Sequence, residues 1–201
     1  SSKSVLQWLL EEYHCQTTNT NTTAPLWNNV LELGAGTGWL GISLLQNIHD
    51  IQELCLTDSK ATGAVQWTQA NLDSAKSQGL LHLERASVVP MDWKDSEQIE
   101  HAANLHSWDL MIGSDLIYTE EGVGWLAKAM ASLLNFSKER RQQRPASRIV
   151  YGHTHGRIPE LDQKWEQQLH AVGLTWNILE RIPVIGWEGR STVIMEIFCQ
   201  A

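Results

Sequence analysis

Residues 30–42 read Val-Leu-Glu-Leu-Gly-Ala-Gly-Thr-Gly-Trp-Leu-Gly-Ile, a short apolar run that enters a glycine-rich turn and leaves into a helix pattern. A strand ending at Leu33 needs glycine where the backbone turns sharply and where a bulky ligand approaches it closely, and Gly34, Gly36 and Gly38 stand at those points. Leu40, Leu44, Leu45 and Ile48 share one face of the following helix, whose first N–H groups then point back at the same ligand. Such a stretch predicts an α/β protein with a cofactor at the carboxyl end of this strand.

Two cofactor classes fit the loop. Gly36, Gly38 and Gly41 satisfy the dinucleotide spacing G-x-G-x-x-G, which alone is a weak signal. In the other frame, Glu32-x-Gly34-x-Gly36-x-Gly38 resembles motif I of the S-adenosylmethionine-dependent methyltransferases. A pyrophosphate wants bare N–H groups, whereas the ammonium and sulfonium of S-adenosylmethionine favour carboxylates or carbonyls nearby. Glu32 therefore favours S-adenosylmethionine over a dinucleotide, and over a plain turn without a ligand.

The chain's 201 residues suit one domain. Fifteen Lys plus Arg against twenty-three Asp plus Glu give a net charge of −8, which argues against a generic nucleic-acid or anionic-membrane binder and makes a basic partner easier to accommodate. Cys15, Cys55 and Cys199 are far apart and odd in number, as expected of a reduced, intracellular protein, cytoplasmic or nuclear. No apolar run approaches the ~20 residues of a membrane helix, and the first residues carry no signal pattern, so a soluble protein is expected. The sequence begins Ser-Ser-Lys without Met, as a trimmed fragment would.

Leu6, Leu9, Leu10 and Tyr13 predict a covering helix over residues 1–14, followed by a polar, flexible loop at 15–24. A second buried strand, 53–57, ends in Asp58, twenty residues after Gly38. At that place in a doubly wound sheet an acid accepts hydrogen bonds from the ribose hydroxyls of a nucleoside; capping of the next helix is the simpler alternative. Residues 60–77 read as a helix with Ala61, Ala64, Val65, Thr68, Leu72 and Ala75 on one face, and 82–89 as a third strand. Just beyond it, Asp92 is placed to accept from an adenine amine and Met91 or Trp93 to pack on the ring, although with ten Trp in the chain plain packing is a strong competitor.

After a helix near 95–104, residues 108–118 read Trp-Asp-Leu-Met-Ile-Gly-Ser-Asp-Leu-Ile-Tyr. Parallel strands joined by helices end on one edge, which brings Asp115 and Tyr118 beside the glycine loop. Together with Glu32 and its glycines, Asp58 and Met91-Asp92-Trp93, the Asp115-x-x-Tyr118 element resembles the seven-β-strand protein lysine methyltransferases, over residue 29 to the end. That family usually carries an upstream segment with a Trp before the first helix, which this sequence does not include. The resemblance implies a doubly wound, Rossmann-like, seven-stranded, mostly parallel sheet with an antiparallel final strand, in one domain over residues 1–201. It implies methyl transfer from S-adenosylmethionine to a lysine side chain of a protein. Asp115 and Tyr118 would be catalytic, and Glu32, Gly34, Gly36, Gly38, Asp58, Met91, Asp92, Trp93 and Ser114 would bind the cofactor. A methyltransferase of small amines or other side chains, and a cofactor-binding module without catalysis, are the competing readings.

Farther on, a helix over 120–135 is followed by a basic run, Lys138, Arg140, Arg141 and Arg144, expected to be a solvated loop. A fifth strand from Arg148 brings His153, His155 and Arg157 toward the mouth of the site. The His-x-His pair lacks a third ligand at a sensible spacing, so no metal is expected. A helix over 159–172 leads to strands 174–182 and 191–198, whose short connection demands an antiparallel pair and places Trp187 as a candidate wall of the substrate channel.

Overall fold

The structure is a computed structural model that describes residues 1–19, 26–81, 85–140 and 147–199. Seven strands, β1 (Asn29–Leu33), β2 (Glu53–Asp58), β3 (Ala86–Pro90), β4 (Leu110–Ser114), β5 (Arg148–His155), β6 (Leu174–Pro183) and β7 (Ser191–Cys199), form one sheet in the order β3-β2-β1-β4-β5-β7-β6. The first five are parallel to one another, while β7 runs antiparallel between β5 and β6. Chain order reverses between β1 and β4, and at that switch point the loops leaving the two strands diverge and open a crevice.

Six helices cover the sheet: α1 (Ser2–Asn19), α2 (Trp39–Asn47), α3 (Ala64–Ser77), α4 (Ser96–Leu105), α5 (Glu120–Arg140) and α6 (Pro159–Ala171). Successive residues of a strand face opposite ways, so a sheet covered on both sides needs apolar side chains at every position. Leu31, Met111, Ile149 and Tyr151 accordingly pack with Trp108, Met130 and Trp165 in one core, while Val30, Leu110, Ile112 and Val150 pack with Val5, Leu9 and Leu44 in the other. The Asp109 carboxylate ties β1 to β4 by accepting from the Asn28 and Asn29 N–H groups at 2.9 and 2.8 Å. Arg148 anchors the first helix through Glu12 at 2.7 Å and is itself held by Glu196 of β7 at 3.1 Å.

Four element boundaries differ from the sequence-based expectation. The first helix continues through Asn19 rather than stopping at residue 14. Thr17 and Thr18 stay helical because their hydroxyls donate back to the Tyr13 and His14 carbonyls, both at 2.8 Å, in place of competing with the helix. The rest of the expected loop, residues 20–24, lies outside the described residues. The expected helix 60–77 is divided at Gly63 (φ 75°) into a single 3₁₀ turn, Lys60–Thr62, and α3. The third strand begins at Ala86; Arg85 before it is not in a strand, and 82–84 are outside the described residues. The expected helix 120–135 continues to Arg140, so Lys138 is exposed but helical and not in a loop, while the Arg140 side chain, Arg141 and Arg144 fall outside the described residues.

Candidate active site

A cleft of about 640 Å³ opens at the carboxyl ends of β1, β2 and β4, within the ~300–1,000 Å³ typical of small-molecule sites. Of the eleven residues expected from the sequence, ten line it: Glu32, Gly34, Gly36, Asp58, Met91, Asp92, Trp93, Ser114, Asp115 and Tyr118. Gly38 does not. It takes φ 76° at the start of α2, donates its N–H to the Ala35 carbonyl at 2.7 Å, and would bring a Cβ to 3.0 Å from the Thr68 methyl. It shapes the turn from behind, packed against α3, and does not form the wall.

The two remaining loop glycines have separate reasons. Gly34 (φ 57°) has no room for a side chain, because a Cβ would lie 2.4 Å from Leu116 Cδ2 and 3.3 Å from Trp93. At Gly36 (φ 58°) a Cβ would meet no protein atom within 4 Å, so the backbone is open to a ligand. Gly41, one turn into the helix, abuts Glu32 Oε2 and Leu56 Cδ2, each 2.5 Å from a hypothetical Cβ.

Glu32 is only 4% exposed. Its Oε2 accepts from the Gly41 N–H at 2.9 Å, which ties β1 to the first turn of α2. Burial pushes its carboxyl up to about 8; the Gly41 hydrogen bond opposes this and the nearby Asp58 charge adds to it. A folded-state value above the ordinary 4.5 means that the native protein holds this proton more tightly than the unfolded chain. The associated stability is complete below 4.5 and is lost as pH rises toward 8. Replacing Glu32 by Gln keeps an acceptor for Gly41 and removes the titration. Denaturant unfolding at a series of pH values is expected to show Glu32→Gln gaining on the wild type as pH rises through that window. Parallel stability curves would contradict the assignment.

Asp58 joins the loops at the ends of β1 and β2, its Oδ2 accepting from the Gly36 N–H at 2.8 Å and its Oδ1 from the Ser59 N–H at 2.7 Å. Ser59, not Asp58, caps the turn that follows, its hydroxyl accepting from the Ala61 N–H at 3.2 Å. Asp92 accepts from the Lys94 N–H at 3.0 Å and faces the Ser59 hydroxyl at 3.4 Å. Met91 is buried in the core, and Trp93 is partly buried against it with its ring beside Gly34.

Across the cleft, Asp115 is the non-glycine residue with a left-handed backbone (φ 52°) among the described residues. A strained position of this kind directs attention to function. The Asp115 N–H donates to the Gly152 carbonyl at 2.8 Å, and its two carboxylate oxygens accept from the Thr154 N–H at 2.8 Å and the Thr154 hydroxyl at 3.0 Å. Burial alone would raise its carboxyl, but hydrogen bonds from Ser1 and from Thr154 outweigh that effect and hold it below the usual carboxylate range. The next residue is held as well: the Leu116 N–H donates to the buried Tyr151 hydroxyl at 3.0 Å. Tyr151 and Thr154, both on β5, escaped the sequence reading. So did Ser59 and the half-exposed Trp39, which also line the cleft or its rim; Trp39 follows Gly38 directly, a position where a ligand-facing residue was to be suspected.

Tyr118 is 63% exposed at the mouth. His153 is not at the mouth. It is buried against Asp162, with which its Nε2 is hydrogen-bonded, and only His155 is more open, 3.8 Å from the same carboxylate. Among the described residues, no group of three His, Cys, Asp or Glu is arranged to hold a metal ion. Trp187 lies on the same sheet edge as the cleft, in the β6–β7 turn, but it does not line the cavity.

This sheet order, the antiparallel last pair and a cleft at the β1/β4 switch point define the Rossmann-like methyltransferase fold. The fold aligns at a TM-score of 0.60 with the arsenic(III) S-adenosylmethionine methyltransferase of Chlamydomonas reinhardtii, at 13% identity, covering 98% of this chain and 74% of that one. It aligns at 0.52 with M. jannaschii TYW2, solved with AdoMet (16% identity, 92% and 74% covered). It also aligns at 0.52 with P. horikoshii TYW2, solved with MeSAdo (14% identity, 88% covered), of whose length this chain spans 58%. No curated protein matches the sequence. A sequence model described as lysine methyltransferase matches residues 1–144, and the chain belongs to that family. That family uses S-adenosylmethionine; the chain spans less than two thirds of the length of two of the structures it matches, 64% of a Pyrococcus horikoshii protein and 58% of P. horikoshii TYW2. Among the described residues no helix is long and apolar enough to cross a membrane.

The cleft suits that cofactor. Two carboxylates, Asp58 and Asp92, and the buried carboxyl of Glu32 line the same cavity as the open backbone at Gly36, a donor and acceptor set matched to the polar methionine end joined to a nucleoside.

Proposed function

We propose that the protein methylates the side-chain amine of a lysine in a protein substrate. The observation that carries this reading is Asp115: an ionised carboxylate, held in a left-handed backbone by Thr154, on the cleft wall opposite the glycine loop. In this reading Glu32, Gly34 and Gly36 face the methionine end of the cofactor, Asp58 the ribose hydroxyls, and Asp92 the adenine amine. Met91 and Trp93 pack beside the base, and Ser114 closes the wall at the end of β4.

S-adenosylmethionine held by these residues would supply an electrophilic methyl group to an unprotonated lysine nitrogen, its sulfur keeping the electron pair of the broken C–S bond. The protein's part is to align the acceptor and to keep water out. Asp115, held below the usual carboxylate range, is a weak base. Its task is to attract and orient the lysine amine, and the proton leaves to water before attack. Its negative charge also favours the protonated amine, so orientation is gained against a higher acceptor pKa. Tyr118, at the mouth, completes the orientation from the side of the substrate.

Cell-extract fractions incubated with methyl-labelled S-adenosylmethionine test this directly. Label in protein bands is the expected result. Label confined to small molecules would contradict a protein substrate, and cofactor binding without transfer to any fraction would contradict catalysis.

A further inference from the structure

Two arginines beside the cleft lie over exposed aromatic rings. The Arg157 guanidinium carbon is 5.0 Å from the centre of the Tyr118 ring, and that of Arg190 is 3.9 Å from the centre of a Trp187 ring. Contact of this type occupies the flat face of a guanidinium and leaves its N–H edge for planar acceptors. Arg157 directs one N–H to the Ile117 carbonyl at 3.3 Å. Among the described residues, neither arginine is ion-paired with a carboxylate, and Glu188 beside Trp187 is no exception.

The two cations lie on adjoining segments. A Cβ on Gly156 would stand 2.7 Å from the Gly189 carbonyl oxygen and 3.6 Å from both Arg190 Cα and Cγ, so the β5–α6 and β6–β7 turns touch. Tyr118 belongs to the cleft wall together with Asp115, which puts Arg157 one ring away from the acceptor position. The tip of the second turn adds apolar surface, with Ile185 97% and Trp187 54% exposed. Tyr, Trp and Arg grouped in this way are the side chains that most often dominate binding to another protein.

We propose that Arg157 and Arg190 read an acidic side chain, Asp or Glu, that flanks the target lysine in the substrate, while Trp187 and Ile185 cover the adjoining backbone. The proposal rests on the lysine reading above. Charge carries it: in a chain of net charge −8, Arg157 over Tyr118 and Arg190 on the adjoining turn have no ion pair among the described residues, and such cations favour a carboxylate over a second basic residue. The lysine itself goes to Asp115. An extended substrate advances ~3.3–3.6 Å per residue, so the acid is expected about one to three positions from the lysine.

The test is a library of lysine peptides with each flanking position varied over Asp, Glu, Ala, Lys and Arg, reacted with labelled S-adenosylmethionine. The wild type is expected to favour Asp or Glu over Ala by about 10-fold on one side of the lysine, as a charge-assisted contact would give. That preference should weaken with salt and should reverse toward Lys or Arg in Arg157→Glu and Arg190→Glu. Cofactor affinity measured on the same variants separates a folding loss from a lost substrate contact. If only a folded protein is methylated, Ala and Lys replacements of the acids around its mapped lysine serve as the probe. Methylation indifferent to flanking acids, or an acid preference that survives both variants, overturns the proposal. Absence of methyl-lysine in every peptide and protein overturns the lysine reading instead.

Discussion

Asp115→Asn is expected to lower methyl transfer roughly 10- to 100-fold and to leave cofactor affinity essentially unchanged. Asn tolerates the left-handed backbone that Asp115 adopts (φ 52°). Its carbonyl still accepts from the Thr154 N–H, and its amide can donate to the Thr154 hydroxyl, so the loop should keep its shape. What disappears is the negative charge facing the substrate amine. A hydrogen bond to a charged group contributes about 1.5–3 kcal/mol, which corresponds to the stated loss in rate. Asp115→Ala is a poorer test, since it also removes both Thr154 contacts and adds backbone strain. Single-turnover transfer with saturating cofactor reads the effect, and full turnover in Asp115→Asn would remove this residue from the mechanism.

Asp58→Ala is expected to weaken cofactor binding about 100-fold, from the loss of one or two charge-assisted hydrogen bonds at roughly 1.4 kcal/mol per tenfold. The carboxylate has two tasks in this account. It holds the Gly36 and Ser59 N–H groups, which fixes the glycine loop against the end of β2, and it faces the ribose. Asp58→Asn removes the charge and keeps an acceptor for the Gly36 N–H, but its NH2 cannot accept from the Ser59 N–H, so it retains the tie to the glycine loop and loses the one to Ser59. Titration calorimetry gives the affinity and a thermal melt reports the loop. An unchanged affinity with a lowered melting temperature would show that Asp58 only staples the loop.

The parts of the fold that were legible in the sequence are those set by local pattern. Apolar runs ending in Gly34, Asp58 and Ser114 announce buried parallel strands, and the rule that such strands finish on one edge brings their ends together. The short link between residues 183 and 191 demands the antiparallel last pair, and β7 is found there. What was not legible depends on partners distant in sequence. Gly38 serves the packing of α2 against α3, a role that only the position of Thr68 reveals. Tyr151 and Thr154 support the Asp115 loop because β4 and β5 pair with Gly113 opposite Tyr151 and Ser114 opposite Gly152, a register that no local pattern specifies. His153 follows from the same strand alternation: it falls on the face of Tyr151, where Asp162 of α6 meets it, so it is turned inward and not toward the mouth.

Mapping of the transferred methyl group by tandem mass spectrometry, after reaction of extract proteins with isotopically labelled S-adenosylmethionine, tests the central claim most directly. The label is expected on the Nζ of lysine residues, strongly reduced with Asp115→Asn. Label on another side chain or only on small molecules, or the same lysine label at undiminished rate with Asp115→Asn, would contradict it.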